Sequence, residues 1–188
     1  MENKNMVYFM KEAESRNGLI DYQKYCKYSD LPGFDGIWDT IGCRGKYCAK
    51  YGFVLLSKEL IDALVEYLHD KKVLSVMSGS GYLEKHLKDN GIDIIATDDY
   101  SWCNRRPNYF NDAKENGVED MDAVEAVKKY GDWADVILLC WPYMDNGAYN
   151  VLMEMRNHPD TIMLYEGEDI GGCTANDEFF LEADYGTY

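Results

Sequence analysis

The sequence predicts an α/β fold: a Rossmann-like, mostly parallel sheet with strand order 3-2-1-4-5, helices on both faces and an N-terminal helical cap. Three observations lead to this prediction. Short apolar runs alternate with segments in which apolar residues recur at helical spacing. A glycine turn follows the first apolar run, and a pair of acids follows the second. Such alternation favours right-handed crossovers between parallel strands, and ligands of these sheets bind beyond the carboxyl ends of the strands.

The size and composition of the chain fit one domain. Its 188 residues, 46% of them hydrophobic, supply enough material for a single core. No run reaches the roughly 20 apolar residues that a membrane span requires, and the first residues lack the basic start of a signal peptide. The 6 cysteines form no CxxC pair, so we expect free thiols. These features predict a single cytoplasmic domain over residues 1–188, with no membrane partner.

The chain carries a formal net charge of −15, and its acids are spread over the whole length. Non-specific binding of nucleic acid depends on Lys and Arg at the phosphates, so this charge disfavours a nucleic-acid partner. The best basic cluster, Arg105 and Arg106, is small. A cationic or neutral small molecule, or a protein, fits this field better as the substrate. The oligomeric state stays open.

The first regular element is a helix that begins after Ser57. Residues 1–56 are rich in Tyr and Gly with irregular spacing, which predicts short helices and loops that cap a core over residues 57–188. Ser57 is a favourable N-cap residue. The apolar residues that then fall on one helical face are Leu60, Ile61, Leu64, Val65 and Leu68.

Strands and helices alternate after that first helix. The apolar run 73–77 ends at a turn, Ser78-Gly79-Ser80-Gly81, and a helix leads from there to the second strand, 92–97. Asp98-Asp99 closes the second strand.

Three further strands are predicted in the second half of the chain. They cover residues 118–121, 136–140 and 161–165, and helical spacing fills the intervals between them. Since all five strands run the same way, the residues that follow each strand meet at one edge of the sheet.

The glycine turn and the acid after the second strand suggest a nucleoside-binding site. Gly79 and Gly81 let the backbone approach a ligand closely, and Asp98 can accept hydrogen bonds from ribose hydroxyls. We expect Asp98 to be an exposed strand-end acid that serves the ligand and not the core. The alternative is a plain strand-to-helix turn followed by a solvated acid.

The dinucleotide fingerprint can be tested on the same residues. It needs a third glycine where this chain has Glu84, and a carboxylate there would repel a pyrophosphate at the helix N-terminus. S-adenosylmethionine carries a sulfonium cation and no phosphate. It is therefore compatible with Glu84 and with the acidic composition.

Four segments carry a resemblance to class I S-adenosylmethionine-dependent methyltransferases. VLSVMSGSGYLEKHL and GIDIIATDDY resemble their first and second motifs, and Met121-Asp122-Ala123 resembles the third. KYGFVLLSKELIDALVEYL is similar to the segment before the first motif, where an aromatic residue such as Tyr51 or Phe53 lines the cofactor pocket. The resemblance implies that Gly79 and Gly81 flank the methionine moiety, that Asp98 holds the ribose and that Asp122 meets the adenine. The full implied cofactor-binding set is Tyr51, Ser78, Gly79, Gly81, Tyr82, Asp98, Asp99, Asp122 and Cys140.

Two positions depart from the pattern of this family. Ser75 stands where the first strand usually carries an acid, and Met77 stands at the usual first glycine. The leading interpretation is a methyltransferase that uses S-adenosylmethionine. The alternatives are a non-catalytic ligand-binding or interaction module of the same fold, and an enzyme that consumes this cofactor by another reaction.

The loop after the fourth strand, Cys140-Trp141-Pro142-Tyr143, resembles the Asp/Asn-Pro-Pro-Tyr loop of amino-group methyltransferases. Trp141 occupies the position of the polar acceptor, and its indole is only a donor, which argues against methylation of nucleobase amino groups. Trp141 and Tyr143 can instead stack against a planar or cationic substrate. Trp-Pro here, with Glu166, Glu168 and GGCTANDEFF further on, is also similar to uncharacterised methyltransferase-like proteins with a Trp-Pro-Pro-Tyr loop. The candidate catalytic residues are Trp141, Pro142, Tyr143 and Glu166.

The acids after the fifth strand allow two interpretations. Glu166, Glu168 and Asp169 can orient a substrate or supply a general base if burial raises a pKa, or they form a solvated acidic loop. A short final helix is expected to begin near Asn176, with Thr174 as its N-terminal cap and Cys173 an inert thiol and not a nucleophile. No His lies close in sequence to these acids, so no metal site is predicted.

Overall fold

The computed structural model describes residues 4–21, 37–101 and 107–184, and it confirms the predicted fold class. The strands are β1 (Lys72–Val76), β2 (Asp93–Asp98), β3 (Val118–Asp120), β4 (Val136–Cys140) and β5 (Ile162–Glu166). They form one parallel sheet in the predicted order β3-β2-β1-β4-β5. The switch in strand order therefore lies between β1 and β4. Arg105 and Arg106 lie outside the described residues.

Helices connect the strands and cover both faces of the sheet. Within the described ranges they are α1 (Lys4–Ser15), α2 (Ile37–Tyr51), α3 (Lys58–Leu68), α4 (Tyr82–Asp89), α5 (Pro107–Glu115), α6 (Ala123–Tyr130), α7 (Gly147–Met155) and α8 (Asp177–Glu182). None of them is long and apolar enough to cross a membrane.

The two central strands divide the core into two layers because successive side chains point to opposite faces. Leu74 and Val76 of β1 pack with buried residues of α6, α7 and α8 on one face. Val73 of β1 and Leu138 of β4 pack with buried residues of α3 and α4 on the other. Ser75 shares the face of Val73, so its hydroxyl points toward α4.

Side-chain caps fix three of the helix starts. Ser57 caps α3 as predicted, since its hydroxyl accepts from the Leu60 amide at 3.1 Å. Asp122 caps α6. The last helix begins near Asn176 as predicted, since α8 starts at Asp177, but the predicted cap Thr174 is wrong: Asn176 caps α8, and its side chain accepts from the Phe179 amide at 3.1 Å.

The N-terminal helices pack on the core through tyrosine side chains. The Tyr47 hydroxyl donates to the Gly18 carbonyl at 2.7 Å and accepts from the Leu56 amide at 3.1 Å. The Ile20 amide donates to the Leu56 carbonyl at 2.7 Å. These bonds hold the segment before α3 in place. Residues of this segment form one wall of a cavity.

Free thiols are observed where the structure describes a cysteine side chain. Cys48, Cys140 and Cys173 are unpaired. Cys26, Cys43 and Cys103 belong to the prediction of free thiols, but their side chains lie outside the described residues.

Candidate functional site

A cavity of about 510 Å³ opens at the carboxyl ends of β1, β2 and β4, where the strand order switches. This size and place are typical of a small-molecule site in a parallel sheet. Most of the predicted site residues line it: Tyr51, Ser78, Gly79, Tyr82, Asp98, Asp99, Asp122, Cys140, Trp141, Pro142 and Tyr143. Topology brings these residues together from positions far apart in the sequence.

Asp98 lines the cavity but is not the exposed acid that we predicted. It is 4% exposed, and its two oxygens accept from the Gly79 amide at 2.8 Å and the Tyr100 amide at 2.7 Å. The carboxylate thus ties the turn after β1 to the turn after β2. Its neighbour Asp99 is exposed, accepts from the Ser101 amide at 2.9 Å and also faces the cavity. Of the two acids, Asp99 is the one open to a ligand.

Two predicted site residues do not line the cavity. Gly81 has φ +73, and a Cβ there would lie 2.4 Å from Val118 Cγ2, so packing against β3 explains this glycine. Glu166 lies behind the cavity wall, where its carboxylate accepts from the Cys140 thiol at 3.2 Å. Burial raises the pKa of Glu166, while the Cys140 hydrogen bond and the Arg44 charge oppose that shift. Glu166 therefore contacts Cys140, which lines the cavity, and is not itself among the described lining residues.

Two large side chains next to the switch point have left-handed backbone conformations. Met77 follows β1 with φ +57, and Trp141 follows β4 with φ +54. Residues with a Cβ rarely adopt this conformation, and those that do cluster at functional sites. Met77 thus has a backbone conformation that favours glycine, the residue that the family resemblance implies at this position. Its side chain lines the cavity and fills the space beside Gly147, where a Cβ would lie 2.5 Å from Met77 Cε.

Glu84 is a cavity residue whose role the sequence did not reveal. It is 3% exposed, and its Oε1 accepts from the Ser75 hydroxyl at 2.6 Å. The Ser78 hydroxyl donates to Ser75 Oγ at 3.0 Å, which extends the network toward the glycine turn. Burial raises the pKa of Glu84 to about 7, against the opposing effect of the Ser75 bond. The helical spacing of Glu84 and Leu87, which share the inward side of α4, was the available signal.

Three buried polar atoms without a hydrogen-bond partner occur among the described residues, and all belong to lining residues of this cavity. They are Tyr51 Oη, Ser80 Oγ and Glu84 Oε2. Buried polar atoms are normally paired, so each unpaired one calls for a ligand or a water molecule. Their concentration in one cavity favours a polar ligand or ordered water at this place.

The lining is strongly acidic. Glu84, Asp98, Asp99, Asp122 and Asp145 contribute carboxyl groups, and none of the described lining residues is Lys, Arg or His. Phosphate groups bind to cationic side chains and to free amides at helix N-termini. The described lining supplies five carboxyl groups and no cationic side chain, so its electrostatics favour a cationic ligand without phosphate.

Aromatic side chains surround the mouth of the cavity. Phe53 and Tyr143 both line it and remain 45% and 50% exposed. The Trp141 ring packs partly against the core, and the Arg44 guanidinium carbon lies 6.0 Å from its centroid. Arg44 also donates to the Phe53 carbonyl at 2.9 Å, so it joins the N-terminal segment to the Trp141 loop. The mouth therefore offers rings for stacking against a substrate.

The loop after β5 does not reach the cavity, which favours its interpretation as a solvated acidic loop. Glu168 and Asp169 are exposed, and neither lines the cavity. Thr174 is buried and accepts from the Glu168 amide at 2.7 Å. Cys173 is exposed, and its amide donates to the Glu168 carboxylate. These contacts shape the loop and leave no role for Cys173 in the cavity.

No cluster of His, Cys, Asp and Glu suited to a metal ion occurs among the described residues. No family model matches the chain, and no curated protein matches it significantly. Any assignment of function therefore depends on the motifs of the chain and on the chemistry of this cavity.

Proposed function

We propose that the protein is an S-adenosylmethionine-dependent methyltransferase that acts on a small molecule or a protein. The observation that carries this proposal is the cavity at the switch point: it is bounded by the glycine turn, lined by five carboxylic acids and, among its described residues, free of Lys, Arg and His. S-adenosylmethionine is a cation without phosphate, and the segments that resemble the first and second motifs contain the turns that bound the cavity. Nicotinamide dinucleotides and nucleoside triphosphates carry phosphates that this lining would repel.

The residues present fit the cofactor in chemical type. Asp99 is an exposed carboxylate suited to ribose hydroxyls, and Asp122 lies at the cavity with α6 behind it. Tyr51, Ser80 and Glu84 hold unpaired polar atoms suited to an amino-acid end. When bound, S-adenosylmethionine supplies an activated methyl group on sulfur. The chain supplies binding, orientation and exclusion of water.

Trp141, Pro142 and Tyr143 would hold the acceptor. They line the cavity directly after β4, and the exposed Tyr143 ring lies at its mouth. Alignment of a nucleophile with a methyl group can supply most of the acceleration of this reaction. The lack of a His or Lys among the described lining residues is therefore compatible with catalysis. Trp141 offers no acceptor to a nucleobase amino group, so an amine, a thiol or a protein side chain fits better as the substrate.

Calorimetry tests the proposal. S-adenosylmethionine and S-adenosylhomocysteine should bind, whereas NAD⁺ and ATP should not. Asp99→Asn should weaken S-adenosylhomocysteine about tenfold, because a charge-assisted bond to ribose is lost while the bond from Ser101 is kept. Asp93→Asn is the matched control, since it removes the same charge from an exposed residue at the opposite end of the same strand.

The competing functions give different outcomes in the same experiment. Binding of neither sulfur ligand would refute the methyltransferase proposal. Binding without methyl transfer to any small-molecule or protein acceptor would support a non-catalytic module. Conversion of S-adenosylmethionine to products other than S-adenosylhomocysteine would support an enzyme that consumes the cofactor by another reaction.

A further inference from the structure

We propose that the Glu84 carboxylate is the counter-ion for the ammonium group of the bound cofactor, and that it replaces the acid that the first strand lacks at Ser75. This inference rests on the proposed function. Glu84 is not among the cofactor-binding residues that the family resemblance implies.

The first step is the position of the carboxylate. Ser75 is a fully buried residue of β1, and its hydroxyl donates to Glu84 Oε1 at 2.6 Å. A carboxylate from the first turn of α4 thus lies against the strand position that usually carries the acid. The Glu84 carboxylate, which belongs to α4, thus lies close to the place where an acid on β1 would be.

The second step is the unpaired oxygen. Glu84 Oε2 has no hydrogen-bond partner and no contact with solvent, although its residue lines the cavity. An ionised carboxylate in such a place is costly unless a donor or a cation pairs with it. Among the described lining residues there is no cation to do so. A cationic ligand would supply the missing partner.

The third step identifies the ligand group. Ser80 Oγ and Tyr51 Oη are also buried and unpaired, and both can donate. Ser80 lies in the turn before α4, four residues before Glu84 in sequence. The Tyr51 ring packs on the ring of Tyr82, the first residue of α4, with centroids 4.8 Å apart. One carboxylate and two hydroxyl donors match the ammonium and carboxylate groups of an α-amino acid. The sulfonium alone would leave the hydroxyls without partners.

Protonation of Glu84 should therefore be coupled to binding. Burial raises its pKa to about 7, and the charge of Asp98 acts in the same direction. The Cys140 thiol, with a raised pKa of its own, is the other titratable group that interacts with Glu84. Near neutral pH the free protein holds Glu84 partly protonated, and an ammonium group would drive the proton off.

Calorimetry with three probes tests this role. S-adenosylmethionine and S-adenosylhomocysteine both carry the ammonium group, whereas 5′-methylthioadenosine lacks the amino-acid end. Glu84→Gln should weaken the first two at least tenfold and leave 5′-methylthioadenosine unchanged. Glu59→Gln is the matched control, because Glu59 is an exposed glutamate in the first turn of α3.

Proton release by the wild-type protein is a second readout that needs no variant. Titration with S-adenosylhomocysteine in buffers of different ionisation enthalpy should show release of about half a proton at pH 7, since the free pKa is about 7. The release should be larger near pH 6 and vanish near pH 8. If Glu84→Gln bound S-adenosylhomocysteine as tightly as the wild type, or lost the same affinity for all three probes, the role of Glu84 would be overturned. The proposed function would not be affected by that result. Failure of the wild type to bind any probe would overturn the proposed function and this inference with it.

Discussion

The Asp98 side chain lines the cavity, but its carboxylate oxygens are engaged by backbone amides. Its oxygens accept two backbone amides, from Gly79 and Tyr100, that belong to the turns after β1 and β2. The Tyr100 amide is buried and would lose its acceptor if the carboxylate were removed, whereas the Gly79 amide is partly buried at the cavity. The shape of the cavity between the two turns depends on this bridge.

Asp98→Ala should therefore destabilise the fold. The buried Tyr100 amide and the partly buried Gly79 amide lose their acceptor, so we expect a loss of about 2 kcal/mol in the free energy of unfolding. Urea denaturation followed by circular dichroism measures it. Asp93→Ala, an exposed aspartate of the same strand, should change stability by less than about 0.5 kcal/mol. An unchanged midpoint in Asp98→Ala would show that the bridge is not structural.

Glu84 should make stability depend on pH in the opposite sense to an ordinary ion-paired acid. Its pKa is about 7 in the fold, above the 4.5 of an exposed glutamate, so the folded state binds its proton more tightly. The resulting stabilisation is fully present below about pH 4.5 and is lost as pH rises through about 7. Glu84→Gln, which cannot ionise, should match the wild type near pH 5. It should exceed the wild type near pH 8, by on the order of 2 kcal/mol.

Thermal or urea unfolding of both proteins at the two pH values checks this prediction. The comparison of each variant with the wild type at the same pH removes the contribution of the other acids. A stability difference that is the same at pH 5 and pH 8 would mean that Glu84 does not titrate in this range.

At the scale of elements, the junction of β1, the glycine turn and α4 determines the form of the site. Gly81 precedes α4 with φ +73, and its missing side chain lets Val118 of β3 approach the turn. The Asn116 side chain donates to the Ser80 carbonyl at 2.8 Å across the same junction. The turn is thereby fixed from the β3 side while its other side faces the cavity.

Gly81→Ala should be considerably more destabilising than Gly91→Ala. Both glycines have positive φ, but a Cβ at Gly81 would lie 2.4 Å from Val118 Cγ2, whereas a Cβ at Gly91 meets nothing within 4 Å. We expect a loss of about 1 kcal/mol at Gly91 from backbone strain alone and of about 3 kcal/mol at Gly81. Chemical denaturation of the two variants measures the difference. Equal losses would show that contact with Val118 does not matter.

The elements were predictable from the sequence to a greater extent than the contacts between them. Alternating apolar runs and helical spacing predict the strands and their parallel direction, while the strand order and most of the lining residues come from the family resemblance. Burial of Asp98 could not be predicted, because it depends on the approach of two turns in space. The location of Glu166 behind Cys140 likewise follows from the pairing of β4 with β5, where these two residues are partners.

The burial of Glu84 and the choice of Asn176 as the helix cap also depend on contacts in space that local sequence does not determine. Glu84 looks like a surface acid when only its polarity is considered, and its burial depends on how α4 rotates against β1. Thr174 and Asn176 are both favourable N-cap residues, and local sequence does not decide between them. The buried bonds of Thr174 to Tyr165 and Glu168 decide in favour of Asn176.

At the scale of the whole molecule, the acidic charge should assist the binding of a cationic ligand. The formal net charge is −15, and the described lining of the cavity adds no positive group. S-adenosylmethionine carries one more positive charge than S-adenosylhomocysteine. Salt should therefore weaken the first ligand more than the second.

We expect the affinity for S-adenosylmethionine to fall about three- to tenfold relative to S-adenosylhomocysteine between 20 and 500 mM salt, because the Debye length shrinks from about 20 Å to below 5 Å. Calorimetric titrations of both ligands across this range check the expectation. The uncharged 5′-methylthioadenosine serves as a control for effects of salt on the protein. Parallel salt dependence of both ligands would indicate that the acidic field does not act on the sulfonium.

A crystal structure of the protein grown with S-adenosylhomocysteine would show directly whether the cavity binds the cofactor. We expect ligand density at the carboxyl ends of β1, β2 and β4, with the ribose at Asp99 and the amino-acid end between Tyr51, Ser80 and Glu84. The sulfur should face Trp141 and Tyr143. Density for the ligand at any other surface would contradict the proposed cofactor site, and density in this cavity with the amino-acid end away from Glu84 would contradict the role of Glu84.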